Sequence, residues 1–568
     1  MVLSLVSLCA KEVVSDHSSS PRWLGSVPRE LYAPLLEAAF SNCRPLAIGD
    51  LVQRWPERTL AVGKKRRPGQ TPPNRLCVQA LLLAVVRGLA ERRCALQVLD
   101  LSGLQSEDEC VEDSMGGWSL TVALCSMVLQ AKLAAQKGAR KDVERERKRS
   151  LENERNRGDS ASKRDRGSGG LEVEMGIEAR EEEEEEVEEE GKKREGGGEQ
   201  AVMGVRRRME MQKRNGAAVE QDGGGSSDCE SNPNPVLVHI CADLFVNARS
   251  WERVRGALTS KGPLSLHCRY LRVEELPAPS VAALLSLLPK QGLLGLDIRY
   301  SSLGVSGLAL LLPLLAPFPH LRSLKLHYCN LDLHRLVPGQ EGALKDMSQG
   351  LCGLKGLREL CLTALRLPGH LRLLLSSLSQ PLEVLELPYL SLTPADLAYL
   401  SCSPHASSLR RLDLSENRLD ESSLPSLRRL FSQASLSLSQ LSLCGCGLSD
   451  GLLGALLPSL SCCRALRSLR LALNPLSLAG LLSLVRTAAG IPSLQLLQYP
   501  NALEEYEAGL PPVPSSAQLL DWPLSEEVEL RDAILFQLEE LVRQSGRARD
   551  LMLTSDLFNF TKDLVEVE

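Results

Sequence analysis

A recurrent spacing of leucine constrains this chain of 568 residues more than any other feature. From residue 293 the pattern L-x-x-L-x-L recurs, with a further leucine eleventh and often Asn or Cys ninth. Copies begin at Leu293, Leu321, Leu357, Leu382, Leu409, Leu438 and Leu466, and a truncated copy begins at Leu494. The spacings are 28, 36, 25, 27, 29, 28 and 28 residues, a period typical of a leucine-rich repeat with one strand and one helix per unit.

These repeats predict how the chain hides its apolar surface. A single repeat cannot bury its own leucines, whereas stacked neighbours can. We therefore predict an α/β fold: a leucine-rich-repeat solenoid (a horseshoe of ribonuclease-inhibitor-like repeats) with helical N- and C-terminal caps and a disordered insert. Short parallel strands would line its concave face. Helices are predicted at residues 308–315, 397–400, 424–431, 452–460 and 478–486, and the 36-residue step predicts an insertion near residues 336–347.

The insert is a change of composition at residues 136–230. This segment carries 21 Lys and Arg, 26 Asp and Glu, and no aromatic residue. Such a segment cannot bury enough apolar surface to offset the entropy of ordering, so we expect a solvated, disordered loop with a transient charged helix near residues 141–149. Its net charge of -5 equals that of the whole chain, which leaves the rest of the chain neutral.

Five regions follow from these patterns. Residues 1–95 are predicted to be a helical N-terminal cap, residues 96–135 a first degenerate repeat, and residues 136–230 the insert. The leucine-rich repeats occupy residues 236–500, and residues 501–568 form a C-terminal cap with a helix near residues 526–545. Because degenerate repeats precede and follow the insert, it is predicted to interrupt one solenoid and not to link two domains.

Alternation along each strand predicts which side chains face outward between the buried leucines. Three of the eight tyrosines share the eighth column. Exposed Tyr and Arg commonly anchor protein interfaces, so the columns are candidates for partner binding; the alternative is that they only fill solvent-facing strand positions. The candidates are Asp297, Lys325, Glu386 and Asp413 in the fifth column, Arg299 and His327 in the seventh, and Tyr300, Tyr328, Tyr389 and Glu416 in the eighth.

The sequence offers no chemistry beyond binding. We find no nucleophile, phosphate-binding or zinc-protease motif, and the eight histidines do not cluster at metal-ligand spacing. The prediction is therefore a protein that is not an enzyme and uses no cofactor or metal. Neutral charge outside the insert argues against nucleic acid, and no apolar run is long enough to suggest a membrane span.

The 17 cysteines are scattered without CxxC pairs, which favours reduced thiols and a cytoplasmic protein. Short basic clusters at residues 64–67 and 206–208 leave a nuclear pool as an addition. A secreted or cell-surface recognition module, with an apolar leader at residues 2–10, is the alternative.

The N-terminal segment holds a different pattern. Ser4, Leu5, Cys9 and Val13 read S-L-x-x-x-C-x-x-x-V, and on a helix Leu5, Cys9 and Val13 share one face with Leu8. The stretch PRELYAPLLEAAF at residues 28–40 follows, and then LVQRWP at residues 51–56.

Together with LQVLDL at residues 96–101, LSLCGCGL at 441–448 and LALNPLSLAGL at 471–481, these stretches resemble the family of the melanoma antigen PRAME and leucine-rich repeat-containing protein 14. The resemblance spans the chain except for residues 136–230. It implies an intracellular protein-binding horseshoe. It also implies a substrate receptor of a cullin-2 RING ubiquitin ligase, with an elongin B/C-binding box at Ser4, Leu5, Cys9 and Val13 and a cullin-binding segment at Val27, Pro28 and Leu31.

The resemblance further implies negative regulation of Toll-like-receptor and NF-κB signalling through a subunit of the IκB kinase complex. Two alternatives stay open. The chain could act as a stoichiometric inhibitor or scaffold without a ligase, and the N-terminal helix could be an amphipathic cap of the solenoid.

Overall fold

The structure, a computed structural model, describes residues 4–15, 27–62, 74–91, 95–104, 119–161, 238–333 and 341–557. The chain divides into two units, Met1–Lys137 with Asn234–Glu568, and Gly138–Pro233. In the second unit the described residues are helical. No helix in the described ranges is long and apolar enough to cross a bilayer.

One parallel sheet runs through the first unit, with its thirteen described strands in chain order. Every neighbouring pair is parallel. The strands are β1 Thr59–Ala61, β2 Val98–Asp100, β3 Val238–Val246, β4 Leu264–Glu274, β5 Gly295–Arg299, β6 Ser323–His327, β7 Glu359–Thr363, β8 Val384–Glu386, β9 Arg411–Asp413, β10 Gln440–Ser442, β11 Ser468–Arg470, β12 Leu496–Gln498 and β13 Met552–Thr554.

Helices precede the sheet and connect its strands. They are α1 Leu5–Ser15, α2 Tyr32–Ser41, α3 Pro45–Gln53, α4 Arg75–Glu91, α5 Leu120–Ala161, α6 Trp251–Thr259, α7 Ala278–Leu287, α8 Gly304–Leu311, α9 Glu341–Cys352, α10 Leu371–Leu375, α11 Pro394–Cys402, α12 Leu424–Gln433, α13 Asp450–Leu460, α14 Leu478–Ala489, α15 Ser516–Asp521 and α16 Val528–Gln544. The α/β leucine-rich-repeat fold is thereby confirmed.

The repeat leucines form one continuous core between the strands and the helices. In the repeat of β9, Leu409, Leu412 and Leu414 are fully buried. The helix that follows, α12, buries Leu427 and Phe431 against the same core. Each buried leucine stabilises the fold by about 2 kcal/mol relative to an exposed one.

The ninth residue of the pattern stabilises the turn after the strand. Asn417 is fully buried; its Nδ2 donates to the carbonyl oxygens of Leu387 (2.8 Å) and Leu414 (2.9 Å). Its Oδ1 accepts the backbone N–H groups of Leu390 (3.2 Å) and Leu392 (3.1 Å). These backbone groups belong to two neighbouring repeats. The single side-chain amide of Asn417 therefore provides hydrogen-bond partners for N–H and carbonyl groups that would otherwise be buried without one.

The sheet extends beyond the predicted repeats at both ends. Strand β1 lies inside residues 1–95, which we predicted to be a helical cap, and pairs with β2. Strand β13 lies inside the predicted C-terminal cap and pairs with β12. Both are three residues long and lack the leucine pattern; pairing with a neighbour, not their own sequence, makes them strands. Both caps therefore contribute a strand besides their helices.

The predicted disordered insert begins inside a helix. Residue 136 falls within α5, so residues 136–161 are helical, and the charged helix predicted near residues 141–149 is part of α5. Long straight-chain residues favour a helix, and Glu144 pairs with Lys148 one turn later at 3.3 Å. The rest of the insert, residues 162–230, lies outside the described residues. Strands β2 and β3 pair directly, as expected if the insert interrupts a single sheet.

The C-terminal helix lies close to its predicted position. Helix α16 buries Ile534, Leu538 and Val542 and packs against α14. Val528 and Leu535, which are apolar residues of the same helix, are exposed.

The eighth residue of the pattern adopts a left-handed backbone in repeat after repeat. Tyr300 (φ 51), Tyr328 (φ 53), Ala364 (φ 55), Tyr389 (φ 59), Glu416 (φ 58) and Leu473 (φ 57) share it, and Gly445 (φ 63) is the one glycine in this column. For residues other than glycine this conformation costs about 1 kcal/mol. The turn that brings the chain from strand to ninth residue therefore carries a repeated strain.

We predict that Asn417→Ala lowers the free energy of unfolding by about 2–4 kcal/mol, since buried backbone groups of two repeats lose their partners. Urea denaturation followed by circular dichroism measures the change. Gln495→Ala, at an exposed amide, serves as the control and should change stability by less than about 0.5 kcal/mol. Equal losses in the two variants would contradict the role of Asn417.

We predict that Ala364→Gly raises the free energy of unfolding by about 0.5–1 kcal/mol, because glycine removes the left-handed strain. The matched variant Ala455→Gly, within α13, should lower it by about 1 kcal/mol. The same denaturation experiment reports both, and a loss of stability in Ala364→Gly would refute strain at the eighth position.

Candidate functional site

The fifth-column residues form a charged row on the face of the sheet opposite the buried leucines, which we call the open face. Asp297 lies beside Lys325 in the register of β5 and β6. Across β8 and β9, Glu386 lies beside Asp413. Between Lys325 and Glu386 the row contains Cys361, which is fully buried. The structure thus brings the predicted fifth-column candidates together on adjacent strands.

Most of these charged side chains are half-buried and form ion pairs. Arg299 donates from Nε to Oδ2 of Asp297 at 2.8 Å, and Lys325 lies 3.2 Å from Glu359. Arg411 lies 3.6 Å from Glu386. Burial raises the pKa of Asp413, although bonds from Ser415 oppose the shift. The row therefore offers charges of both signs in fixed positions, as a protein-binding surface requires.

His327 lies in the middle of this surface. Its Nδ1 is 2.8 Å from Oγ1 of Thr363, and its Nε2 is 3.7 Å from Oδ1 of Asp297. Burial lowers the pKa of His327 below its usual value, and the nearby Asp297 opposes the shift. The ring is therefore neutral at physiological pH and acts as a hydrogen-bonding group rather than a cation.

The eighth-column tyrosines project from the carboxyl ends of the strands. Tyr300 is 56% exposed, Tyr328 47% and Tyr389 50%. The rings of Tyr300 and Tyr328 stack with centroids 5.3 Å apart and planes 12° from parallel. The alternation of side chains along a strand does not by itself predict where these rings point, because each tyrosine is the residue at which the left-handed turn begins. They form a preassembled aromatic surface beside Arg299 and His327.

Glu416, the last candidate of that column, is engaged within the chain. Ser516, at the start of α15, donates its hydroxyl to Oε2 of Glu416 at 2.6 Å. Burial raises the pKa of Glu416, and hydrogen bonds from Ser516 and Tyr389 oppose the shift. The C-terminal cap thus contacts this column. Sequence reasoning missed the contact because the two residues are 100 positions apart.

Two further features of the open face carried no sequence signal that we used. His239 Nδ1 lies 2.9 Å from His267 Nε2 on the adjacent strand. Beyond them, Tyr270, Arg272 and Lys325 line a cavity of about 270 Å³. Gly295 makes room for the Tyr270 ring, since a Cβ there would lie 2.5 Å from Tyr270 Cδ1. In the sequence, this cavity could have been recognised from Gly295, a glycine at the third position of the repeat that begins at Leu293.

The buried cysteines in the part of the chain that the structure describes pack within the core. The cysteines of this part are free. Burial raises the pKa of Cys329 to about 12 and that of Cys463 to about 11, so these thiols are protonated and pack as small apolar side chains. No group of three or more His, Cys, Asp or Glu side chains in the same residues could hold a metal ion.

The predicted elongin-binding residues lie on α1. Ser4 begins the helix, and its hydroxyl accepts the backbone N–H of Ser7 at 3.1 Å. Leu5 is 77% exposed, and Cys9 and Val13 are exposed as well. The residues that α1 buries are Ala10 and Val14.

The predicted cullin-binding residues lie at the start of α2, against which α1 packs. Val27 packs partly buried against the core. Pro28 is exposed and precedes a single 3₁₀ turn, Arg29–Leu31, in which Leu31 is exposed.

Family models match two regions of the chain. The PRAME N-terminal domain matches residues 3–108 and the PRAME C-terminal domain matches residues 263–512. The first match includes α1 to α4 with β1 and β2, and the second includes the repeats that carry the open-face candidates.

Curated relatives agree with this match. Leucine-rich repeat-containing protein 14 of Xenopus laevis is 33% identical over 581 residues, which cover 98% of this chain and 98% of that protein. The protein of the same name from Homo sapiens is 40% identical over 335 residues, 58% of this chain and 66% of that protein. PRAME family member 12 of Homo sapiens is 39% identical over 142 residues, 25% of this chain and 29% of that protein.

Solved structures resemble the chain more distantly. A chain in the crystal structure of a TLR13–ssRNA13 complex is 18% identical in sequence to this chain, and the two superpose with a TM-score of 0.30. The match covers 47% of this chain and 37% of that chain. An internalin from Listeria monocytogenes is 13% identical with a TM-score of 0.26 and covers 47% of this chain and 75% of that chain. These low scores support no inference about function. The two family models and the relative aligned over nearly its whole length show that the chain belongs to the family of PRAME and leucine-rich repeat-containing protein 14.

Proposed function

We propose that this chain is an adaptor that binds a protein on its open face and recruits elongin B/C and cullin-2 through its N-terminal helices. In that role it is the substrate-recognition subunit of a cullin-RING ubiquitin ligase. Membership of the PRAME family and the leucine-rich-repeat fold support the coarser part of this proposal, a protein-binding role.

The observation that carries the ligase part is the burial pattern of α1. A helix that only caps a solenoid should turn its larger apolar side chains toward the core. Helix α1 does the opposite: it buries Ala10 and Val14 and exposes Leu5, Leu8 and Val13. An exposed apolar face of this kind favours a partner helix or groove over the capping alternative.

The cullin part has weaker support. Val27 is partly buried and Leu31 is exposed, so they do not form one apolar surface. Arg29 and Glu30 follow the proline and are charged. We therefore propose elongin binding and cullin-2 binding as separable properties of this segment.

The open face, together with the tyrosines at the carboxyl ends of its strands, is the proposed site for a subunit of the IκB kinase complex. Stacked aromatic rings lose little conformational freedom on binding, and ordered charges of both signs give specificity. Tyr300 and Tyr328 supply the former, and Asp297, Arg299 and Lys325 the latter. Binding there would lower Toll-like-receptor and NF-κB signalling. The proposal includes a cytoplasmic location for the protein, with a nuclear pool as an addition.

A second candidate function is stoichiometric inhibition without a ligase. It is favoured by the placement of the two surfaces: the open-face candidates belong to β5–β9, and α1 packs on α2. Partner binding at the open face therefore does not need the α1 side chains.

We predict that the double variant Leu5→Ala/Cys9→Ala reduces elongin B/C binding at least about tenfold, because truncation of two contact side chains removes more than about 1.4 kcal/mol. Co-purification followed by titration measures it. Lys11→Ala, an exposed residue elsewhere on α1, is the control and should bind normally. If the wild-type chain itself binds no elongin B/C, the proposed ligase role is contradicted and the stoichiometric-inhibitor hypothesis is favoured.

We predict that Tyr300→Ala/Tyr328→Ala weakens binding to an IκB kinase subunit at least about tenfold, because a stacked aromatic pair at an interface commonly contributes more than about 2 kcal/mol. Leu535→Ala/Phe536→Ala removes comparable exposed apolar surface from α16 and serves as the control. Pull-down with the purified kinase subunit, and an NF-κB reporter, measure the outcome. Equal binding by both double variants would contradict an open-face site.

The reporter also separates the two functions. A ligase receptor requires both surfaces, so Leu5→Ala/Cys9→Ala should abolish its inhibition of NF-κB. A stoichiometric inhibitor should keep that inhibition in the same variant and lose it only in Tyr300→Ala/Tyr328→Ala.

A further inference from the structure

A second column of exposed side chains lies at the amino ends of the strands, whereas the tyrosines lie at their carboxyl ends. The residue after the first leucine of each repeat comes directly before its strand, and in four repeats it is an exposed arginine. These residues are Arg322, Arg358, Arg410 and Arg467, which precede β6, β7, β9 and β11. We call this column the arginine row.

Backbone hydrogen bonds fix the spacing of this row. Arg358 N donates to Arg322 O at 2.8 Å, Glu383 N to Arg358 O at 2.8 Å, and Arg410 N to Glu383 O at 2.7 Å. Ser439 N then donates to Arg410 O at 2.8 Å, and Arg467 N donates to Ser439 O at 2.7 Å. Successive positions of this column are therefore about 4.8 Å apart, with Glu383 and Ser439 between the later arginines. The four arginines are thus one, two and two strands apart, and the row from Arg322 to Arg467 spans about 24 Å.

The row carries more positive charge than its neighbours neutralise. Glu383 is its one acidic member and lies 3.7 Å from Arg358 and 3.8 Å from Arg410, so two arginines share one carboxylate. The exposed Lys355 and Arg464 lie three residues before Arg358 and Arg467 and add to the charge. The nearby Glu359 is engaged by Lys325.

Exposed acidic residues collect at the other edge. Asp420, Glu421, Asp450 and Glu504 all follow the strands of their repeats, where helices begin. The carboxyl ends of the strands thus expose these four carboxylates, whereas the residues before the strands expose four arginines, although the chain outside the insert is neutral. The arginine row is a basic strip and not part of a uniformly basic surface.

We propose that the arginine row binds an acidic, extended segment of a partner protein. A 24 Å strip matches about seven residues of extended chain at about 3.4 Å each. Guanidinium groups pair well with carboxylates and reach over the differences in spacing. This site is separate from the open-face surface and from α1, so the inference goes beyond the proposed function.

The row fits an acidic peptide better than a nucleic acid. Single-stranded nucleic acids are bound by basic grooves with aromatic side chains on which bases stack. The exposed tyrosines Tyr300, Tyr328 and Tyr389 lie at the other edge of the sheet.

The test is direct binding of a fluorescent decaglutamate peptide to the full-length chain, followed by anisotropy at an ionic strength of about 0.1 M, where the Debye length is about 10 Å. Wild type should bind, and the quadruple variant Arg322→Gln/Arg358→Gln/Arg410→Gln/Arg467→Gln should bind about ten- to a hundredfold more weakly. A decaglutamine peptide should not bind.

The matched control removes four exposed arginines elsewhere: Arg372→Gln/Arg418→Gln/Arg429→Gln/Arg486→Gln. It changes the net charge equally and should bind the peptide within about twofold of wild type, since charges away from the strip are screened. Equal weakening in both quadruple variants would show unspecific attraction and overturn the proposal. So would the absence of wild-type binding, or tighter row-dependent binding of an oligouridylate.

A gain of affinity gives a test that misfolding cannot imitate. Glu383→Gln removes the single acidic member of the row, and its two ion pairs are solvent-exposed enough to contribute little stability. The variant should bind decaglutamate about three- to tenfold more tightly than wild type. Unchanged or weaker binding, with an unchanged melting curve, would overturn the site.

Discussion

Lateral pairing of parallel strands, repeat against repeat, is the interaction on which the rest of this structure depends. Most strands are short, with several only three residues long, and no strand would be stable alone. Pairing with both neighbours places equivalent residues of successive repeats side by side. Leucines then form one core, and the outward columns become continuous surfaces.

The register turns sequence columns into three different surfaces. Charged residues between the leucines give the open face, in which Arg299 pairs with Asp297 and Lys325 pairs with Glu359. The left-handed turn after each strand presents the tyrosines, and the residue before each strand forms the arginine row. A protein of this kind can therefore bind at either edge or on the open face without any change in its core.

The sequence predicted the repeats because the leucine spacing is local and periodic, so each unit can be recognised by itself. It also predicted that the fifth and seventh columns meet, since register follows from the repeat length. It did not predict β1 or β13, whose three residues become strands only through their neighbours. The bond between Ser516 and Glu416 was equally hidden, because nothing in either segment encodes a contact over 100 positions.

The direct pairing of β2 with β3 has a consequence for how such a chain can change over evolution. Two adjacent strands hold the ends of the long intervening segment together. Closure entropy grows only with the logarithm of loop length, so doubling that segment would cost about 0.6 kcal/mol. The junction is therefore a permissive position, at which whole stretches of sequence can be gained or lost while the stacking of the repeats stays intact.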